Sequence, residues 1–293
     1  LKVGSGRLDA RAIALAVLAM LVFGGSYTAG KVALHDLPVF GVLTLRMSIT
    51  AVTLGAYALW TGIPLAQRGT AARYVSAQTA IFALSQMLLF IALGMTSAGR
   101  AAILFNMQPF FTLLLLPLFV AGERVTRRRW LGTGAAFAGV ALVLSERGVN
   151  GGALLGDLLA LIAALGWTGN IILNKRMPAE FNAVSMVFWN CAGVIPLFAV
   201  LSLLIEPADA WRFSAPALAA VLYLGVAAAS LGFVLMAWLT RGYSASRVNV
   251  FVFLSPVFGV LIGWAVLGET VSALQALGAL AVAAGILIVT VER

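Results

Sequence analysis

Ten apolar stretches follow one another along the sequence, at 12–30, 39–60, 75–95, 99–121, 130–145, 154–173, 183–205, 215–238, 246–267 and 271–290. Apart from the short segment 130–145, each is close to the ~20 residues that a helix needs to cross a bilayer. The connections are too brief to hold a soluble domain. In lipid the backbone must satisfy its own hydrogen bonds, which leaves helices or a closed barrel. Barrel strands alternate in polarity over about ten residues, and no such alternation is present. Only 10% of the residues are charged and 62% are hydrophobic, where a soluble domain carries roughly 25% charged residues. The expected fold class is therefore an all-α integral membrane protein with ten transmembrane helices. Arg7 and Arg11 before the first stretch resemble the start of a signal peptide, but that stretch has a counterpart in the second half and is read as a span.

Orientation follows from the basic residues, which lie in short loops between spans. With the N-terminus inside, the inner loops and ends hold Lys2, Arg7, Arg11, Arg68, Arg73, Arg124, Arg127, Arg128, Arg129, Lys175, Arg176, Arg241, Arg247 and Arg293, fourteen in all. The outer loops hold four, Lys31, Arg100, Arg147 and Arg212, and Arg46 falls within a span. This positive-inside bias places both termini in the cytoplasm of a bacterial inner membrane protein. The same distribution accounts for the net charge of +9 without nucleic acid, since no basic domain exists to bind phosphates.

The two halves of the chain match each other. Ser97-Ala98-Gly99-Arg100 followed by Pro109 is repeated as Ser244-Ala245-Ser246-Arg247 followed by Pro256. Gly122-Glu123, Gly132 and Gly139 recur at identical spacing as Gly268-Glu269, Gly278 and Gly285, and Gly25 and Lys31 as Gly169 and Lys175. The organisation is an N-terminal segment 1–11, a five-helix repeat 12–146 and a second repeat 154–291. Because five is odd, the second repeat enters the membrane from the opposite side, so the repeats are inverted. Inverted repeats are characteristic of secondary transporters that bind substrate near the midplane, between the halves, and rock to expose it to either side.

These repeats, each with a proline-containing fourth helix, a Gly-Glu turn and a glycine-spaced last helix, resemble the drug/metabolite transporter superfamily, and within it the EamA-type ten-helix exporters. The likeness extends to the first helix of each repeat, Phe23-Gly24-Gly25-Ser26 to Lys31 and Trp167-Thr168-Gly169-Asn170 to Lys175. It covers nearly the whole chain and implies export of small metabolites. Amino acids lead, and YddG-like exporters of aromatic amino acids are among the implied possibilities. Carriers of drugs or nucleotide sugars in the same superfamily are the alternative.

Polar groups inside a membrane mark pathways or helix contacts. Trp167, Asn170 and Asn174 share one helical face in the sixth span, and their repeat counterparts in the first are Phe23, Ser26 and Gly30, with Tyr27 beside Ser26. Pro109 and Pro256 each remove a backbone donor and free the carbonyl of Phe105 or Val252. That carbonyl is available to a substrate ammonium, or the kink serves packing and rocking alone. Asn106 and Gln108 surround the first proline, and Asn249, Phe253 and Ser255 the second. Arg46 could attract a carboxylate or hold a topological role, and its repeat partner is Asn190, next to Trp189. Lys31 and Lys175 lie at opposite mouths. The glycines of the fifth and tenth spans read as close helix contacts or a dimer face.

None of the ten acidic residues falls at the centre of a span. Proton-driven antiporters hold a carboxylate within the membrane, so facilitated export, or coupling through Asp157 near the surface, is expected. The single histidine, His35, and single cysteine, Cys191, exclude a zinc centre and a disulfide, and no metal or cofactor is expected. Intramembrane proteolysis would need a Ser–His pair, an Asp pair or a His-Glu-x-x-His helix, so the protein is not an enzyme. Its expected partners are a small-molecule substrate and the lipid bilayer, in a monomer or homodimer.

Overall fold

The computed structural model describes residues 9–65, 70–119, 127–145, 152–176, 182–243, 248 and 250–290. These are helical, with no strand among them. In chain order the helices are α1 (Ala10–Asp36), α2 (Val39–Thr61), α3 (Thr70–Met95), α4 (Ala98–Phe105), α5 (Gln108–Phe119), α6 (Arg127–Ser145), α7 (Gly152–Arg176) and α8 (Ala183–Ile205). They continue as α9 (Ala215–Leu222), a π-helical stretch (Tyr223–Leu231), α10 (Gly232–Gly242), a 3-10 turn (Val250–Phe253), α11 (Leu254–Leu267) and α12 (Ala273–Thr290). Several starts carry side-chain caps on orphan backbone donors. Asp9 accepts from Ala12 N at 2.7 Å, Ser97 from Arg100 N at 3.1 Å, Asn182 from Val184 N at 2.9 Å and Ser214 from Ala217 N at 3.2 Å.

Among the described residues these elements group into ten crossings, six of them single stretches long and apolar enough to span a membrane. The fourth combines α4 and α5, the eighth runs from α9 through α10, and the ninth combines the 3-10 turn with α11. The fourth is not one kinked helix about Pro109. It breaks at Asn106 and Met107, so that Pro109 becomes the second residue of α5, where its missing N–H costs no intrahelical bond. Pro256 likewise stands third in α11, just past the 3-10 turn.

Packing obeys the repeat. The fifth crossing pairs with the tenth and the second with the seventh. The first crossing packs on the ninth as the sixth packs on the fourth, and the third packs on the sixth as the eighth packs on the first. Exchanging the first five crossings for the last five thus maps these principal pairings onto one another. This is the two-repeat fold read from the duplicated motifs. Leucine and other large apolar side chains point outward, Leu59 and Leu203 being 83% and 84% exposed. An apolar exterior of this kind is what lipid, not water, requires.

The α6–α12 pair is fastened backbone to backbone. A Cβ at Gly139 would lie 2.7 Å from the Gly278 carbonyl oxygen, and one at Gly285 would lie 2.5 Å from that of Gly132. Small residues allow this approach, and dispersion and packing hold it in lipid. Replacing Gly139 by leucine is expected to cost about 1–3 kcal/mol through overpacking, read as a lower unfolding midpoint in detergent. Gly134→Ala, on the same helix where a Cβ meets nothing within 4 Å, should leave the midpoint unchanged.

Candidate functional site

Between the repeats lies a cavity of about 290 Å³. Its described lining comes from the first four crossings and from the sixth to ninth. One wall is aromatic: Tyr27 meets Phe105 at 6.3 Å between centroids, Phe105 meets Trp167 at 5.9 Å, and Trp167 meets Phe82 at 5.9 Å. Edge and tilted contacts of this kind fix ring orientations while leaving faces available for stacking. The fourth-crossing break opens onto this wall. Asn106 caps α4 and donates through Nδ2 to the Ala102 carbonyl at 2.7 Å and to the Tyr27 hydroxyl at 3.3 Å. The start of α5 is tied to α7, since Thr168 Oγ1 donates to the Gln108 carbonyl at 3.2 Å. Gln108 Oε1 is buried with no hydrogen-bond partner among the described residues.

Across the cavity, α2 contributes Arg46. Its guanidinium carbon stands 5.2 Å from the centroid of the Phe90 ring, a cation–π placement. Its Nε is buried and unpartnered, and among the described residues no carboxylate pairs with it. Ser26 lines the cavity, with its hydroxyl donating to the Phe23 carbonyl at 2.6 Å, and Ser255 lines it from α11. The π-helical stretch supplies Ala228 and Ala229. Its displaced Gly225 carbonyl is satisfied by the hydroxyls of Ser230 at 2.8 Å and Thr50 at 3.3 Å, and such a stretch is frequent at functional sites.

The structure therefore brings Ser26, Tyr27, Arg46, Asn106, Gln108, Trp167 and Ser255 together around one space. It sets three expected residues apart from the described lining. Trp189 is 37% exposed and donates from Nε1 to the Leu65 carbonyl at 2.5 Å, which makes it a peripheral anchor. Asn190 is buried and accepts from Thr79 Oγ1 at 3.1 Å, joining α8 to α3. Asn170 is buried with both polar side-chain atoms unpartnered. Asn249 and the side chains of Phe253, Asn174 and Lys175 lie outside the described residues.

Periodicity alone missed Phe82, Gln86, Phe90, Phe233 and Cys191, which also line the cavity. It also missed the construction of the bundle end near Lys31. There Glu269 accepts from the backbone N–H groups of Ala98 at 2.7 Å and Gly99 at 3.1 Å, capping α4 in trans. Gly268, at φ 64°, makes the turn that brings this carboxylate round. Lys31 Nζ stands 3.4 Å from Glu269 and donates to the Thr96 carbonyl at 2.7 Å. Asp157, fully buried, pairs with Arg100 and accepts from Thr96 Oγ1 at 2.7 Å. The Ser-Ala-x-Arg and Gly-Glu motifs repeated in both halves were the signal for this cluster.

A ten-crossing helical bundle of two repeats around a polar-spotted aromatic cavity defines a multi-pass membrane transporter. The sequence matches the EamA-like transporter family over residues 10–145 and again over 154–291, and the chain belongs to that family. It is 32% identical to a probable amino-acid metabolite efflux pump of Salmonella typhimurium, over 94% of this chain and 93% of that one. It is 30% identical to the protein of the same description in Escherichia coli, with the same coverage. A crystal structure at 20% identity superposes with a TM-score of 0.68 over 96% of each chain, which shows the shared fold.

Proposed function

We propose that this protein exports amino acids or small amino-acid metabolites, aromatic ones among them, across a bacterial inner membrane by alternating access through the cavity between its repeats. The observation that carries this reading is the pairing of an aromatic wall, Tyr27–Phe105–Trp167–Phe82, with Arg46 and the amides of Gln86, Asn106 and Gln108 around one cavity. The names of the two efflux-pump relatives support the same class of cargo. Both termini face the cytoplasm on the Lys/Arg distribution, so the Lys31–Glu269 end is the outer one, and the bonds of Lys31, Thr96, Asp157 and Glu269 tie its helices together. The described lining holds no carboxylate, which supports facilitated export without a proton exchanged at the site.

The test is flux in liposomes containing the purified protein, with phenylalanine, tryptophan, threonine and methionine compared with a nucleotide sugar and a quaternary ammonium drug, with and without a pH gradient. Saturable flux of amino acids independent of the gradient is the expected result. Uptake of the sugar or the drug alone would replace the proposed cargo. Trp167→Ala should lower kcat/KM for an aromatic substrate about ten-fold, the equivalent of one lost ring contact. Trp189→Ala, outside the lining, should leave it unchanged.

A further inference from the structure

The charges of the cavity do not balance. Arg46 is the one formal charge among its described lining residues, and nothing acidic accompanies it there. An uncompensated guanidinium in a low-dielectric space is costly and is relieved by an anion. A zwitterion supplies that anion but brings an ammonium, which the lining meets with no carboxylate. What the lining does offer an N–H is neutral: the side-chain amides of Gln86, Asn106 and Gln108, of which Gln108 Oε1 has no hydrogen-bond partner among the described residues. A neutral amide N–H satisfies such an acceptor without importing a second charge, and the Trp167 and Phe105 rings stand ready for an aromatic side chain.

We infer that the cargo best fitted to this cavity is a monocarboxylate whose nitrogen is uncharged, an N-acylated aromatic amino acid being the fullest match, rather than the free zwitterion. This rests on the transport reading above and narrows its substrate class. The carboxylate lies at Arg46, the amide N–H at Gln108 and the ring along the aromatic wall. Since the charge on Arg46 stays with the protein, each transport cycle moves one net negative charge when the cargo is the acylated form, and none when it is the zwitterion.

The experiment compares N-acetylphenylalanine, 3-phenylpropionate, phenylalanine and phenylalaninamide. Binding to the purified protein is measured by calorimetry, and flux in proteoliposomes is measured against protein-free vesicles under an imposed membrane potential. N-acetylphenylalanine should bind at least about ten-fold more tightly than phenylalanine, with 3-phenylpropionate between them and phenylalaninamide unbound. Its flux should respond to the potential, while that of phenylalanine should not. Gln108→Leu should bring N-acetylphenylalanine down to the level of 3-phenylpropionate and leave 3-phenylpropionate unaffected. Phenylalanine binding as tightly as its acetyl derivative would overturn this inference and leave the transport reading standing. Absence of saturable flux for every amino acid and derivative would overturn both.

Discussion

Replacing Arg46 by glutamine is expected to abolish saturable transport while leaving the protein as stable as before, or more so. These two effects usually travel together in a membrane protein, and their separation here follows from the surroundings of Arg46. Its described contacts are the Phe90 ring and the cavity, with no ion pair and a buried, unpartnered Nε. A guanidinium held this way contributes little to the fold and burdens it with desolvation. Its removal therefore relieves a cost. For the cargo the balance is opposite. Losing the protein side of a desolvated charge pair costs about 2–3 kcal/mol, on the order of 100-fold in affinity. Flux in proteoliposomes together with the unfolding midpoint in detergent checks both halves. Unaltered transport in Arg46→Gln would show that Arg46 serves topology alone. Arg46→Lys keeps the charge but loses the planar fork, and should recover only part of the transport.

The architecture was legible because membrane insertion leaves so little freedom. Lengths of apolar sequence set the number of crossings, and the duplicated Ser-Ala-x-Arg, Pro and Gly-Glu strings set the repeat, as the exchange symmetry of the helix contacts bears out. Individual side chains were legible only where a local signal existed. Pro109 announced an irregularity at Asn106 and Gln108, though the helix breaks there instead of bending. Trp189 and Asn190 share a helix and carry the right chemistry, yet face Leu65 and Thr79. The facing direction depends on how α8 is rotated in the bundle, and 3.6-residue periodicity has little purchase on a helix that is apolar all round. The π-helical stretch at Tyr223–Leu231 had no signature in an alanine-rich segment. There the Gly225 carbonyl accepts from Thr50 on α2 and from Ser230 within the stretch, contacts that no local sequence pattern announces.

The same reasoning explains why Arg100 was counted as a loop charge when it is a buried one, and leads to the second large effect. Arg100 lies in the first turn of α4 and is 8% exposed, and Asp157 near the start of α7 is fully buried. They come from crossings that are distant in sequence and adjacent in space, so no local pattern could pair them. Asp157 accepts from Arg100 Nε at 3.2 Å, from Arg100 Nη2 and from Thr96 Oγ1. It is the centre of the cluster that also includes Lys31 and the Glu269 cap on α4. Asp157→Asn retains the shape but withdraws the charge that faces the guanidinium. Breaking one member of a buried pair costs about 3–5 kcal/mol, enough to lower the unfolding midpoint sharply and reduce the amount of protein recovered from the membrane.

The double variant Arg100→Leu, Asp157→Leu decides what the pair is for. Buried ion pairs are often no more stabilising than the apolar side chains that could replace them. The double variant should therefore recover most of the midpoint lost by Asp157→Asn, while its outer end closes less firmly. Cys191, the lone cysteine of the chain and part of the cavity lining, reports that closure. In intact cells it should react faster with an impermeant thiol reagent in the double variant than in the parent protein, with Cys191→Ser as the unreactive control. A double variant as unstable as Asp157→Asn would mean that the pair itself holds the bundle together. Recovered stability with unchanged Cys191 labelling would mean that the Glu269 cap and Lys31 suffice to keep the outer end shut.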